Sequence, residues 1–232
     1  MKEINNQEML NHYLHAHQIE SVFNDRLKPY LSLYKMNEGE LICSQGEPSD
    51  YLFVLVKGKV KIYTTSVEGK TLILSFKTPL DLIGDIEYIR ETERMNTVEA
   101  VSPVYLIGIH YRWLRIHGKD DISLHKFLLE IITQKFYIKS NTLSFNLMYP
   151  VEVRLASYIL SVSFDESNLQ FEGKISTSSL ADAADLLGTS YRHLNRVIQQ
   201  FCLEGLIERS KGFITVKDKE RLSERANENI YK

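Results

Sequence analysis

Between residues 177 and 216 the sequence gathers groups suited to holding a polyanion and reading what it carries. Thr189 and Ser190 are small hydroxyl residues that can bond a phosphate beside the amides of a helix N-terminus. Tyr191, Arg192 and Arg196 follow within two helical turns, and an arginine fork can donate two hydrogen bonds to a guanine edge. Arg209 and Lys211 lead into a glycine turn farther on, where a cation would meet a phosphate. Together these seven side chains point to double-stranded DNA.

Other chemistry is sparse. The two cysteines, Cys43 and Cys202, are far apart; they make no disulfide framework and cannot supply a four-thiolate iron–sulfur site within one chain. Two reduced thiols are the expectation. His12, His15 and His17 lie close together, but their spacing sets them on different faces of a helix, so solvent exposure is expected rather than a metal site. Haem stays open, because a single histidine can ligate it. Residues 31–109 contain no histidine, however, which weighs against a cupin-like metalloprotein built on clustered His and Glu ligands. No Ser/His/Asp or Cys/His nucleophile arrangement is visible, so no enzymatic activity is expected.

The elements that would position the DNA-facing groups can be read in turn. Ser178 and Ser179 can cap a helix starting at Leu180, whose small alanines permit close packing. Gly188 supplies a turn, and Thr189 or Ser190 caps a second helix. That helix turns Leu194, Val197, Ile198 and Phe201 inward and Tyr191, Arg192, His193, Asn195, Arg196 and Gln199 outward. Residues 204–216 read as strand, Gly turn and strand, forming a wing. The order is that of a winged helix-turn-helix.

Upstream, residues 6–27 read as a helix carrying Leu10, Tyr13, Leu14, Ile19 and Phe23 at roughly helical spacing. Residues 31–110 hold short Val-, Ile-, Leu-, Tyr- and Phe-rich runs between turn signals such as 37–39, 45–48, 57–59, 67–70 and 78–79, a pattern of an all-β sandwich or barrel. Residues 51–56 are apolar enough to be buried on both faces, whereas 59–63 alternates. Residues 118–147 keep a helical period, with Leu124, Leu128, Ile131, Ile132, Lys135, Ile138 and Leu143 near one stripe widened by Phe127, Phe136 and Phe145. A helix ~40 Å long has more apolar stripe than a small β-domain needs, so the surplus is expected to pair with a second copy. Residues 151–162 read as a short helix.

The formal net charge is −2, with 44% hydrophobic and 25% charged residues, which implies a globular core and no global positive field. Residues 151–232 carry 11 Lys/Arg against 12 Asp/Glu, so any DNA contact must come from a local face and be salt-sensitive. The N-terminus has no apolar run of a signal peptide and no stretch is long enough to span a bilayer, so a cytoplasmic protein is expected, without membrane contact.

Residues 177–216, with Gly39-Glu40, Gly46, the run Asp50-Tyr51-Leu52-Phe53, Gly58-Lys59-Val60, Gly69 and Leu82-Ile83-Gly84-Asp85, resemble the Crp/Fnr family of regulators in order from about residue 31 to about residue 222. Residues 84–89 and 190–194 look especially like the YeiL branch. The resemblance implies an α+β chain in three parts: a sensory, cyclic-nucleotide-binding-like β-roll (a double-stranded jelly roll) with an N-terminal helix over 1–117, a dimerisation helix over 118–147, and a winged helix-turn-helix over 148–232. It places recognition at Tyr191, Arg192 and Arg196, with Thr189 and Ser190 at the phosphate-contacting turn.

In family members that bind cyclic nucleotides, a Gly-Glu pair meets the ribose and an Arg-Ser pair the phosphate. Gly84-Asp85 keeps the first with a shorter acid. Arg94 stands near the second, but Met95 and Asn96 follow where Ser and a small residue belong, and the loop is one residue short. The effector-pocket candidates are therefore Gly84, Asp85, Glu87 and Arg94, with a changed or lost ligand expected in place of a cyclic nucleotide; Glu87 and Arg94 pairing with each other is the structural alternative. The implied function is a homodimeric transcription regulator on a palindromic operator, tuned by a small-molecule effector of unidentified class and meeting RNA polymerase. A scaffold of the same fold that has lost DNA binding is the alternative from a different class.

Overall fold

The computed structural model describes residues 1–69, 71–162, 164–165, 170–171, 174–177 and 180–227. The chain forms two compact units, Met1–Lys135 and Phe136–Lys232.

The first unit opens with strand β1 (Lys2–Ile4) and helix α1 (Gln7–Ala16). Asn6 caps α1 by accepting from the Met9 amide at 2.9 Å. The helix ends well short of residue 27. Gln18 takes a left-handed backbone (φ 55°), and the chain continues in turns. Ile19 and Phe23 are buried as expected, but from turns. His17 is not free in solvent: its Nε2 meets the Val56 carbonyl at 2.7 Å.

Strands β2 (Ser32–Met36), β3 (Leu41–Cys43), β4 (Tyr51–Lys57), β5 (Val60–Thr65), β6 (Thr71–Lys77) and β7 (Asp81–Ile83) follow, then helix α2 (Asp85–Arg90) and strands β8 (Thr97–Ala100) and β9 (Val104–His110). They form two antiparallel sheets, ordered β1-β2-β9-β4-β7 and β3-β8-β5-β6. Leu52, Phe53, Val54, Leu55 and Val56 of β4 are all buried, because both faces of the strand are covered. The alternation expected over 59–63 is blunted: Val60 is buried and residues 61–63 are half-buried. Gly58 (φ 90°) turns β4 into β5 where a Cβ would stand 2.4 Å from the Pro103 carbonyl oxygen, so no other residue fits.

Helix α3 (Tyr111–Trp113) and a π-turn (Leu114–Gly118) lead into the long helix α4 (Ile122–Met148). The helix starts at 122 rather than 118, because Asp121 Oδ1 accepts from the Ser123 and Leu124 amides and fixes the first turn there. It buries only Leu124, Phe127 and Leu128. Farther along, Leu129, Phe136, Leu143 and Leu147 are exposed by 66%, 73%, 61% and 78%, an apolar surplus left uncovered among the described residues.

The second unit continues with α5 (Val151–Val162), the short strands β10 (Phe164–Asp165), β11 (Gln170–Phe171) and β12 (Lys174–Ser176), helices α6 (Leu180–Leu186) and α7 (Tyr191–Leu203), strands β13 (Ile207–Ser210) and β14 (Phe213–Val216), and α8 (Lys219–Arg225). The sheet β12-β14-β13 is antiparallel. One core joins Leu155, Ile159, Ala183, Ala184, Leu194, Val197, Ile198, Phe201, Leu206, Ile214 and Leu222. Ser178 and Ser179, expected to cap α6, and Lys70, at the end of the 67–70 turn, lie outside the described residues.

Candidate nucleic-acid interface and the acid–base cluster of the roll

The turn between α6 and α7 is built around Gly188, whose φ of 61° favours glycine. The Leu187 and Thr189 amides donate back to the Ala183 and Ala184 carbonyls, both at 2.9 Å. Arg154 Nη1 donates to the Leu187 carbonyl from α5, so an interior cation satisfies the end of α6. Of the two candidate caps for α7, Ser190 takes the role: its Oγ accepts from the His193 amide at 3.2 Å. Its hydroxyl proton stays available to an anion.

The apolar spacing then fixes which face of α7 is wet. Leu194, Val197, Ile198 and Phe201 are buried. Tyr191, Arg192, Arg196 and Gln199 are exposed, and His193 and Asn195 are half-buried. These outward residues and Ser190 line one open concavity. Gly212 (φ 90°) forms the tip of the β13–β14 hairpin beside exposed Lys211.

Electrostatics sort the cations of this unit into two groups. Lys217 pairs with Glu208, Arg225 with Glu204 at 2.6 Å, and Arg221 with Asp218 at 3.8 Å. Arg192, Arg196 and Lys211 have no acidic partner among the described residues, so in a unit of nearly balanced charge these three are left uncompensated. Arg209 does not share that freedom. It lies across the wing, with Nη1 donating to Asn195 Oδ1 at 2.8 Å. Asn195 was legible as an outward residue of α7, but nothing in its spacing marked it as the partner of a wing arginine.

In the roll, Asp85, Glu87 and one arm of the Arg94 fork already have partners within the chain. Asp85 is 3% exposed and faces Lys135 of α4 at 2.9 Å. The Lys135 ammonium also donates to the Leu82 carbonyl at 2.6 Å and meets Asp81 at 3.0 Å, so each of its three protons has an acceptor. Asp81 is shared with Lys77 at 3.0 Å. Glu87 and Arg94 do not pair with each other. Glu87 accepts from the Met95 amide at 3.1 Å, because the loop turns that amide toward α2, while Arg94 Nη2 donates to the Tyr51 carbonyl at 2.9 Å. Arg94 Nη1 is buried without a partner among the described residues. Gly84 (φ 92°) leaves no room for a side chain: a Cβ would lie 2.5 Å from Arg94 Nη1 and 2.6 Å from the Tyr111 hydroxyl. Burial pushes the Tyr111 phenol up to about 12, which keeps it protonated as it donates to the Gly84 carbonyl. Burial likewise pushes the Cys43 thiol up to about 11, the reverse of what a cluster thiolate needs. Among the described residues no group of three or more His, Cys, Asp and Glu could hold a metal ion, and no helix is long and apolar enough to cross a membrane.

Comparison with known proteins agrees with these two parts. Residues 34–115 match the cyclic nucleotide-binding domain family and residues 153–225 the Crp-like helix-turn-helix domain family. The chain is 30% identical over 211 residues to regulatory protein YeiL of Escherichia coli O157:H7, covering 88% of this chain and 91% of that protein. It is 24% identical over 191 residues to the CRP-like cAMP-activated global transcriptional regulator of Mycobacterium tuberculosis, covering 81% of this chain and 85% of that protein. Among solved structures, a Crp/Fnr-family transcriptional regulator from Eubacterium rectale has the same fold, with a TM-score of 0.76 at 20% identity over 88% of this chain and 95% of the other.

Proposed function

Since the chain belongs to the Crp/Fnr family of DNA-binding transcription regulators, we propose that it reads a palindromic operator as a homodimer, each copy placing the N-terminal end of α7 in a major groove. The observation that carries this reading is that Arg192 and Arg196 of α7 and Lys211 at the wing tip are exposed with no acidic partner among the described residues, in a unit where Lys217, Arg221 and Arg225 are paired. Ser190 and Thr189 add hydroxyls at the α7 N-terminus, where backbone amides also favour phosphate. Two copies of such a unit would read half-sites about one helical turn apart.

The second copy is supported by the uncovered apolar residues of α4. Burial of such a stripe in a coiled coil removes it from water. Effector control through the roll belongs to the same reading, with RNA polymerase as the downstream partner. The commitments of Asp85 to Lys135 and of Arg94 to Tyr51 disfavour a cyclic nucleotide, since the acid for a ribose and half of the fork for a phosphate are already engaged.

The test is selection of genomic fragments by the purified full chain at fixed salt, with and without small metabolites from a cell extract. An enriched palindrome establishes operator binding, and enrichment that requires the extract adds an effector. Failure to enrich any sequence in both conditions would sink the reading in favour of a scaffold.

A further inference from the structure

Asn195 sits on the DNA-facing side of α7, where a free amide would offer an adenine edge one donor and one acceptor. Neither is free. Its Oδ1 accepts from Arg209 at 2.8 Å, and its Nδ2 donates to the Tyr191 carbonyl one turn back at 3.1 Å. Tyr191 lines the same concavity as Asn195 and is half exposed, at 50%, so the first turn of α7 is tied to the wing while the ring it carries stays uncovered. A cation of the wing is thus spent on the reading helix, whereas Lys211, two residues on, is left to meet phosphate.

We propose that Arg209 is a positioning residue that acts through Asn195 to hold the wing against the first turn of α7 and so to present the Tyr191 ring as a specificity determinant, its apolar edge reading the C5 methyl group of a thymine. This rests on the DNA-binding reading above and names the base chemistry of that site. An aromatic edge is suited to a thymine methyl, and a ring held at its base discriminates better than one free to turn away.

The experiment uses the full chain and the duplex it selects, with each thymine in turn replaced by deoxyuridine, which deletes only the methyl group. For the wild type, one thymine in each half-site should lose ~5-fold or more in affinity on replacement. Arg209→Ala, Asn195→Ala and the double variant should each abolish that sensitivity to the same extent, because two residues acting as one unit are not additive. Their circular dichroism spectra and thermal melting should match the wild type, which a misfolded domain would not give. Lys211→Ala should do the reverse, keeping the methyl sensitivity and lowering the slope of log K against log salt by about 0.9. A slope lowered by about 0.9 in Arg209→Ala, with methyl sensitivity intact, makes Arg209 a phosphate contact and overturns the proposal. So does a wild type indifferent to every deoxyuridine. A wild type that selects no duplex at all removes the underlying DNA-binding reading as well.

Discussion

Arg196 and Asp185 stand on opposite sides of the α6–α7 turn and make opposite demands on it. Arg196 is exposed, unpaired among the described residues and in the second turn of α7. If it reads a base, Arg196→Ala should weaken operator binding by about 1–3 kcal/mol while leaving random-sequence binding little changed; competition titration checks this, and equal loss on both duplexes would remove Arg196 from the readers. Asp185 is held above its ordinary value by burial and then by the nearby Asp182 carboxylate. An acid raised in the folded state contributes stability below its unfolded pKa and loses it as pH rises through the folded value. At neutral pH the ionised Asp185 therefore works against the fold. Asp185→Asn should raise the Tm at about pH 7, with the gain shrinking toward about pH 4. A gain that grew on acidification would refute this account.

At the scale of elements, α6, α7 and the wing were legible because local signals agree. Gly188 permits the left-handed turn, Ser190 caps, and four apolar residues at helical spacing set the buried face. The first helix was overextended because Ile19 and Phe23 fall at helical spacing although a Gln, not a Gly, makes the left-handed break at position 18. Strand β1 escaped notice because Lys2, Glu3 and Ile4 gain their strand only by pairing with β2. Lys135 was the least legible: in sequence it is one charge in an apolar stripe, and only the fold brings it to Asp81 and Asp85. Lys135→Met should cost about 3 kcal/mol in denaturant unfolding, since Asp81 keeps Lys77 but Asp85 is left buried without a partner. Adding Asp85→Asn should recover part of the loss. A neutral single variant would show that the cluster holds nothing together.

For the whole molecule the sequence conveyed the order of the parts better than what each had lost or gained. The glycine-spaced strands identified a roll, yet that Arg94 donates to Tyr51 rather than pairing with Glu87 depends on a loop path that no residue type encodes. The surplus apolar stripe of α4 was readable from its period alone, and its exposure at Phe136 and Leu143 gives the dimer a direct check. The wild type should sediment as a dimer at micromolar concentration, and Phe136→Glu with Leu143→Glu should give a folded monomer with weakened operator binding. A monomeric wild type would remove the second copy. The Lys135 ammonium has a further consequence. Its nitrogen is enclosed by three acceptors, so it is a poor nucleophile toward acylating reagents while these contacts last. Any event that lifts the helix would expose a reactive amine, and mass-spectrometric labelling at this one lysine would then count the fraction of molecules whose helix has come away.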